Sequence, residues 1–152
     1  MSAIATEANG GTMEKTFESD IELAQLTFGE MVGKGNFASV YKGTYGADKQ
    51  LVAIKKQSLE NPELLKYIHS EIDILKSIRH PNVLRYIGIC FEKEKDCLYI
   101  LTEFLEGGDL RNFIQDASSP SQMNTTNWAL RVKIVMDVAN AIYYLHSHNL
   151  MH

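Results

Sequence analysis

The sequence predicts an α+β fold in which a five-stranded antiparallel sheet and one helix are followed by further helices. Three observations support this prediction. Residues 26–56 contain three β-prone runs separated by glycine-containing breaks. Residues 61–78 repeat apolar side chains at the spacing of an amphipathic helix. Residues 127–148 carry a longer apolar stripe of the same kind.

The first 22 residues differ in composition from the rest of the chain. They are rich in Ala, Gly, Thr and Glu, and they hold five acidic residues against one lysine, which accounts for the whole net charge of −4. This composition predicts a flexible acidic arm over residues 1–22. Phe17, Ile21 and Leu23 are the side chains that would attach the end of this arm to the folded domain.

The next segment is predicted to form three strands, at 26–33, 37–45 and 50–56, with a turn at 46–48. A helix should follow, because Asn61 offers a capping side chain and Pro62 suits the first helical position. Glu63 adds an acid to the first turn, where the helix dipole favours it. The apolar face of this helix consists of Leu64, Leu65, Ile68, Ile72 and Leu75.

Turn signals and hydrophobic periodicity predict the elements in the second half of the chain. His80-Pro81 ends the helix, and strands are expected at 84–91 and 98–103, joined by a charged loop. A glycine-containing break at 106–109 precedes a short helix at 110–117, a polar loop and a long helix at 127–148. The stripe of the long helix includes Leu130, Ile134, Val135, Val138, Ile142 and Leu145.

Charge and cysteine content disfavour several classes of partner and site. The residues after position 22 sum to zero charge, so nucleic acid is not expected as a partner. No apolar run has the length of a membrane span or of a signal-peptide core. Cys90 and Cys97 lack a metal-binding spacing and are predicted to be buried free thiols in a reducing compartment. We therefore expect a cytoplasmic protein that holds no metal through its own residues.

The most informative stretch is the hairpin formed by the first two strands, together with the lysine on the third. Gly33 and Gly35 lack a Cβ, so their backbone N–H groups can approach phosphate oxygens closely. Lys55 would add a point charge to the same phosphates. A dinucleotide site of Rossmann type needs a helix after the glycines, whereas another strand follows here. The alternative to a phosphate-binding loop is an ordinary glycine-containing hairpin.

Several segments resemble those of a eukaryotic protein kinase domain, in the family's order. They are V-G-K-G-N-F-A-S-V at 32–40, V-A-I-K at 52–55, R-H-P-N-V-L at 79–84, L-T-E-F-L-E-G-G-D-L at 101–110 and Y-L-H-S-H-N-L-M-H at 144–152. The resemblance covers residues 26–152. Within the superfamily, the run at 80–88 is most similar to tyrosine-kinase-like kinases, the LIM kinases among them.

The resemblance implies a domain organisation and a cofactor. Residues 23–152 would form the N-terminal part of a kinase domain, with a small lobe at about 26–103, a hinge at 103–109 and the first helices of an incomplete helical lobe at 110–152. The small lobe would consist of the antiparallel sheet and one regulatory helix. ATP would bind between this lobe and the hinge.

The resemblance also implies roles for individual residues. Lys55 would contact the α- and β-phosphates of ATP, and Glu71 would pair with Lys55. The loop over the phosphates would comprise Gly33, Gly35, Phe37 and Ala38, with alanine where the family carries its third glycine. The base and ribose would be bound by Val32, Val40, Ala53, Thr102, the backbone of Glu103 and Leu105, and Asp109.

His152 matches the first histidine of the kinase catalytic loop. The family's proton-accepting aspartate and its Mg²⁺ ligands follow that histidine, so Mg²⁺ and phosphoryl transfer to a protein Ser/Thr are expected only of a complete domain. This chain alone is expected to be inactive. The alternative is a non-catalytic kinase-like module that binds nucleotide or an intact kinase partner. Coding sequence that continues into Arg-Asp and Asp-Phe-Gly motifs would favour the first hypothesis.

Overall fold

The computed structural model describes residues 17–35, 38–117 and 128–150 of the chain. The strands are β1 (Leu26–Lys34), β2 (Ala38–Tyr45), β3 (Gln50–Ser58), β4 (Tyr86–Glu92) and β5 (Cys97–Glu103). The helices are α1 (Pro62–Ser77), α2 (Leu110–Ala117) and α3 (Trp128–Ser147). All strands pair antiparallel in one sheet, in the order β1-β2-β3-β5-β4. The predicted α+β class, with five antiparallel strands followed by helices, is therefore confirmed.

Helix α1 begins as its N-terminal residues predict. The side chain of Asn61 accepts a hydrogen bond of 3.0 Å from the backbone N–H of Glu63, which satisfies one of the unpaired donors of the first turn. The helix ends before Ile78, whose N–H still donates to the carbonyl of Ile74. The sequence signals at both ends of α1 thus agree with the structure.

Strand β4 begins at Tyr86, two residues later than predicted. The backbone N–H of Arg85 donates to the side-chain carboxylate of Glu103 at 2.8 Å, and the N–H of Glu103 donates to the carbonyl of Arg85 at 3.0 Å. A side chain therefore takes the place of one backbone partner at this point. The hydrophobic pattern at 84–85 does not indicate that a side chain replaces a backbone hydrogen-bond partner here.

Strand β5 is buried on both faces, because the sheet separates two apolar clusters. The cluster beneath α1 consists of Phe17, Leu59, Leu65, Ile68, Ile72, Ile89, Leu98 and Ile100. The cluster on the opposite face consists of Ile21, Leu26, Val52, Ile54, Cys90, Cys97, Tyr99 and Leu101. Burying a side chain of this size stabilises the fold by about 1.5–3 kcal/mol. The first cluster holds α1 on the sheet, and the second covers the opposite face of the sheet.

Both cysteines are buried and free. Burial, and secondarily the negative charge of Glu92, raises the pKa of the Cys90 thiol. Cys90 is therefore protonated and unreactive near neutral pH.

The end of the predicted arm is packed against the sheet. Phe17 and Ile21 are buried, one in each apolar cluster. The prediction that these side chains attach the arm agrees with this packing. Residues 1–16 lie outside the described residues, and their predicted flexibility stays a prediction.

Helix α3 contacts the segment after α1 through Tyr144 but buries no residue. The phenol oxygen of Tyr144 accepts a hydrogen bond of 3.3 Å from the backbone N–H of Arg79, and the Tyr144 ring packs on His80 with centroids 4.8 Å apart. Trp128 and Tyr143 are 75% and 76% exposed.

None of the described helices combines the length and the apolar character that a membrane span requires.

Candidate functional site

The candidate site is built on the face of the sheet that α1 covers. Lys55 of β3 pairs with Val40 of β2 and with Ile100 of β5. Directly opposed residues of antiparallel strands share a face, so these three side chains lie together. Ala53 and Thr102 oppose each other two positions away and therefore occupy the same face. The alternation along β3 places Lys55 among apolar neighbours.

Glu71 of α1 forms an ion pair with Lys55. Its Oε1 atom lies 2.6 Å from Nζ of Lys55, within the range of a short charge-assisted hydrogen bond. The two side chains are 34% and 38% exposed, so solvent still reaches the pair. A pair this accessible contributes little to folding stability. Its effect is to hold the ammonium group at a defined place on the sheet.

Beside this pair lies a cavity of about 320 Å³, at the lower end of the range of small-molecule sites. Its walls come from the sheet, from α1 and from the segment after β5. Predicted site residues in the lining are Val32, Val40, Ala53, Lys55, Glu71, Thr102, Glu103 and Leu105. The structure thus brings eight predicted residues to one cavity.

The glycine-containing hairpin lies between β1 and β2, next to the cavity wall formed by Val32 and Val40. The N–H of Gly35 donates to the carbonyl of Ala38 at 2.8 Å, which closes the hairpin tip. Gly33 opposes Val40 across the two strands. A Cβ at either glycine would meet only ordinary contacts with the residues that the structure describes. Neither glycine is therefore required for packing against those residues. Phe37 lies outside the described residues.

The segment after β5 presents backbone groups at the edge of the cavity. The carbonyl oxygen of Glu103 accepts a long hydrogen bond of 3.4 Å from the hydroxyl of Thr102. The N–H of Leu105 makes no hydrogen bond within the part of the chain that the structure describes. A carbonyl at the end of β5 and an unpaired N–H thus lie two residues apart, beside an apolar cavity.

Asp109 does not line this cavity. Its two carboxylate oxygens accept hydrogen bonds from the backbone N–H and from the side-chain amide of Asn112, at 2.7 and 2.8 Å. Asp109 is therefore the N-cap of α2. The sequence contained this signal, because aspartate directly precedes the first helical residue, Leu110.

Four cavity residues were not among the predicted nucleotide-binding residues: Leu75, Leu84, Ile100 and Phe104. Ile100 reaches the site because β5 pairs with β3 in a register that opposes it to Lys55. Strand register is a long-range property, and the sequence pattern of β5 alone does not contain it. The sequence could have indicated Phe104, because it lies between Glu103 and Leu105, which are both predicted site residues.

No group of three or more potential metal ligands occurs among the residues that the structure describes. His146, in the last turn of α3, and His148, just after it, belong to no such group. Nδ1 of His148 lies 2.9 Å from the carbonyl oxygen of Tyr144 and 3.1 Å from the hydroxyl of Ser147, and its ring packs on the Tyr144 ring. His148 therefore takes part in packing at the end of α3.

Comparison with known proteins agrees with the fold. Curated relatives include the RasGEF domain-containing serine/threonine-protein kinase X of Dictyostelium discoideum, which is 41% identical over 135 residues, covering 88% of this chain and 13% of that protein. Kinase and exchange factor for Rac A of the same organism is 40% identical over 135 residues, covering 88% and 10%. The probable L-type lectin-domain containing receptor kinase V.3 of Arabidopsis thaliana is 34% identical over 119 residues, covering 78% and 17%.

The chain spans about a tenth to a sixth of the length of these relatives. The family model described as protein tyrosine and serine/threonine kinase matches residues 26–152, which is most of the chain. The matched region begins at the first residue of β1 and includes the whole sheet and helices α1, α2 and α3. The chain belongs to the protein kinase family.

Proposed function

We propose that this chain is the nucleotide-binding part of a protein kinase and that ATP binds in the cavity beside Lys55. The observation that carries this proposal is the Lys55–Glu71 ion pair at the wall of an apolar cavity. An ammonium group fixed by a carboxylate is positioned to meet phosphate oxygens with little loss of side-chain entropy. Lys55 would bind the α- and β-phosphates, and Glu71 would orient Lys55.

The rest of the cavity fits a purine base. Val32, Val40 and Ala53 provide apolar walls, with Thr102 behind them. The carbonyl of Glu103 would accept a hydrogen bond from the base, and the N–H of Leu105 would donate one. Backbone amides near Gly33, Gly35 and Ala38, together with Phe37, would cover the phosphates. Asp109 is already used as a helix cap, so we do not assign it to the ribose.

In a complete domain, bound ATP would supply the phosphoryl group that is transferred to a protein hydroxyl. The curated relatives named as serine/threonine-protein kinases favour Ser/Thr over Tyr as the acceptor. The run at 80–88 favours the tyrosine-kinase-like group, which includes the LIM kinases. We further propose that Mg²⁺ binds through residues outside this chain, that the chain alone transfers no phosphate, and that the protein acts in the cytoplasm.

A second candidate function is a non-catalytic kinase-like module that docks on a protein partner, such as an intact kinase. The observation in its favour is the exposure of apolar side chains along α3, where Trp128, Val135 and Tyr143 are each more than two-thirds exposed. The first candidate requires nucleotide at Lys55, whereas a module that docks on a protein partner does not. They also differ in whether a longer product that includes this chain phosphorylates protein substrates.

The direct test is ATP binding to the chain, measured by titration calorimetry with and without Mg²⁺. Lys55→Met is expected to weaken binding by about tenfold or more, because a hydrogen bond to a charged group is worth about 1.5–3 kcal/mol. Lys56→Met is the matched control, since Lys56 opposes Tyr99 on the other face of the sheet. Absence of saturable binding, or equal losses in the two variants, would contradict the proposal.

A further inference from the structure

The segment Phe17–Glu22, here called the N-terminal strap, precedes the part of the chain that the kinase family model matches. It lies along β4, an outer strand of the sheet. One side of an outer strand has no strand partner for its backbone groups. The N–H groups of Asp20 and Ile21 both donate to the carbonyl of Ile89, at 2.9 and 3.1 Å. The N–H of Phe91 donates to the hydroxyl of Ser19 at 2.8 Å.

The strap also contacts α1 through an aromatic residue. The ring of Phe17 stacks on His69 of α1 with centroids 4.2 Å apart and an angle of 11° between the planes. The same ring meets Phe91 of β4 edge to face, at 5.8 Å. Phe17 is buried in the cluster beneath α1. It therefore joins the middle of α1 to β4.

A second contact joins the end of α1 to β4. The carboxylate of Asp20 accepts a hydrogen bond of 2.6 Å from the phenol of Tyr86, the first residue of β4. It also forms an ion pair of 3.2 Å with Lys76, in the last turn of α1. Partial burial works to raise the pKa of Asp20, but the hydrogen bonds from Tyr86 and Lys76 and the Lys76 charge outweigh it, so the pKa is lowered overall. Asp20 is therefore ionised at neutral pH.

These contacts lie on both sides of Glu71 along α1. His69 precedes Glu71 by two residues, and Lys76 follows it by five. We infer that the N-terminal strap positions α1 so that Glu71 reaches Lys55, with Phe17 and Asp20 as the positioning residues. The consequence for nucleotide binding rests on the proposed function, whereas the position of α1 does not.

Without the strap, helix α1 is held on the sheet by contacts that do not fix its position along the sheet or its rotation. The Lys55–Glu71 pair is partly exposed and is too weak to hold α1 by itself. Apolar contacts through Leu65, Ile68 and Ile72 bury α1 on the sheet but are not directional. The strap adds directional contacts at two separate points of the helix. It thereby restricts the sliding and rotation that would move Glu71 away from Lys55.

The test compares Phe17→Ala and Asp20→Ala with Glu18→Gln in the full chain. Glu18 is the matched control, because it is an exposed acid within the same strap. Amide hydrogen exchange is measured along α1 and along β3 and β5. In addition, the ¹⁵N signal of the Lys55 ammonium is compared with that of Glu71→Gln, which reports loss of the ion pair directly.

We expect the two positioning variants to raise exchange along α1 by about tenfold or more, with β3 and β5 unchanged. The Lys55 signal should move toward its value in Glu71→Gln, and Asp20→Glu should restore it. Unchanged exchange along α1, an equal rise over the whole lobe, or an unmoved Lys55 signal would each overturn the inference. Because Phe17 is buried, Asp20→Ala carries the test if Phe17→Ala does not fold.

Nucleotide affinity is measured on the same proteins as a separate readout. If the parent chain binds ATP, the positioning variants should bind it more weakly than Glu18→Gln does, and equal affinities would count against the role of the strap in binding. If the parent chain binds no nucleotide, the proposed function fails. Hydrogen exchange and the Lys55 signal still decide whether the strap positions α1.

Discussion

The ammonium nitrogen of Lys55 lies 2.6 Å from a carboxylate oxygen of Glu71, although the two residues are 16 positions apart in the chain. One is carried by β3 and the other by α1. The pair exists only while the helix lies at one place on the sheet. It therefore couples the position of a helix to the electrostatics of the candidate nucleotide site.

Glu71→Gln should weaken ATP binding by about tenfold while changing folding stability by less than about 1 kcal/mol. The reason is that the pair is partly exposed, so it contributes little to folding, but it fixes the cation that would meet phosphate. Calorimetry and urea denaturation measure the two effects. Asp73→Asn, an exposed change on the same helix, is the control. A large loss of stability with unchanged affinity would contradict this assignment.

Asp109→Ala should destabilise α2 by about 0.5–2 kcal/mol, because it removes the N-cap. Asp109→Asn should be nearly neutral, since asparagine caps equally well. Amide exchange of the first turn of α2 reports the effect. If Asp109 contacted ribose and did not cap the helix, both variants would lose ATP affinity and α2 would be unaffected.

Gly88→Ala should destabilise the lobe by about 1–3 kcal/mol, because the added methyl group overpacks the strap. A Cβ at this position would lie 2.5 Å from Cδ1 of Ile21. Combining the change with Ile21→Ala should relieve the clash, so the double variant should lose less stability than the sum of the two single variants. Additive losses in urea denaturation would show that Ile21 does not press on Gly88.

Acid should weaken the contact between the strap and α1. The pKa of Asp20 is lowered from an unfolded value of 3.8, so its contribution is present above about pH 4 and is lost as pH falls through the folded value. The stability difference between the parent and Asp20→Asn should therefore shrink as pH is lowered below the unfolded value. A difference that stays constant with pH in urea denaturation would exclude the ionised carboxylate as its source.

Trp128 is the only tryptophan of the chain and is 75% exposed at the start of α3. Its fluorescence should resemble that of indole in water, and a soluble quencher should reach it almost freely. Amides of α3 should also exchange faster than those of β5, because α3 buries no residue. Blue-shifted emission that resists quenching would mean that another surface covers this end of α3.

Much of the fold was predictable from local pattern. The capping side chain of Asn61, the alternation along β3 and the apolar stripe of α1 are short-range properties, and each agrees with the structure. The implied pairing of Lys55 with Glu71 also agrees with the structure. The kinase-like order of motifs implies both the strand and the helix that bring these residues together. The V-A-I-K resemblance indicated Lys55, and strand alternation places the neighbouring Lys56 on the other face of the sheet.

The differences concern residues whose partners are distant in sequence or are side chains. The ribose contact predicted for Asp109 stays a prediction, and the structure adds that Asp109 caps α2 through Asn112. Strand β4 starts late because the side chain of Glu103 pairs with Arg85. Ile100 reaches the cavity only through the register of β5 on β3. No periodicity within one segment specifies contacts of these kinds.

The sequence by itself determined the α+β class, the five strands and the three helices, because hydrophobic period and capping chemistry act over a few residues. Its resemblance to protein kinases indicated the candidate residues Lys55 and Glu71. Only the tertiary structure decided that Phe17 and Asp20 join α1 to β4. Their partners, His69, Lys76 and Tyr86, lie 52 to 66 positions away. The fold of the chain brings these residues together, and no local sequence pattern encodes contacts between positions so far apart.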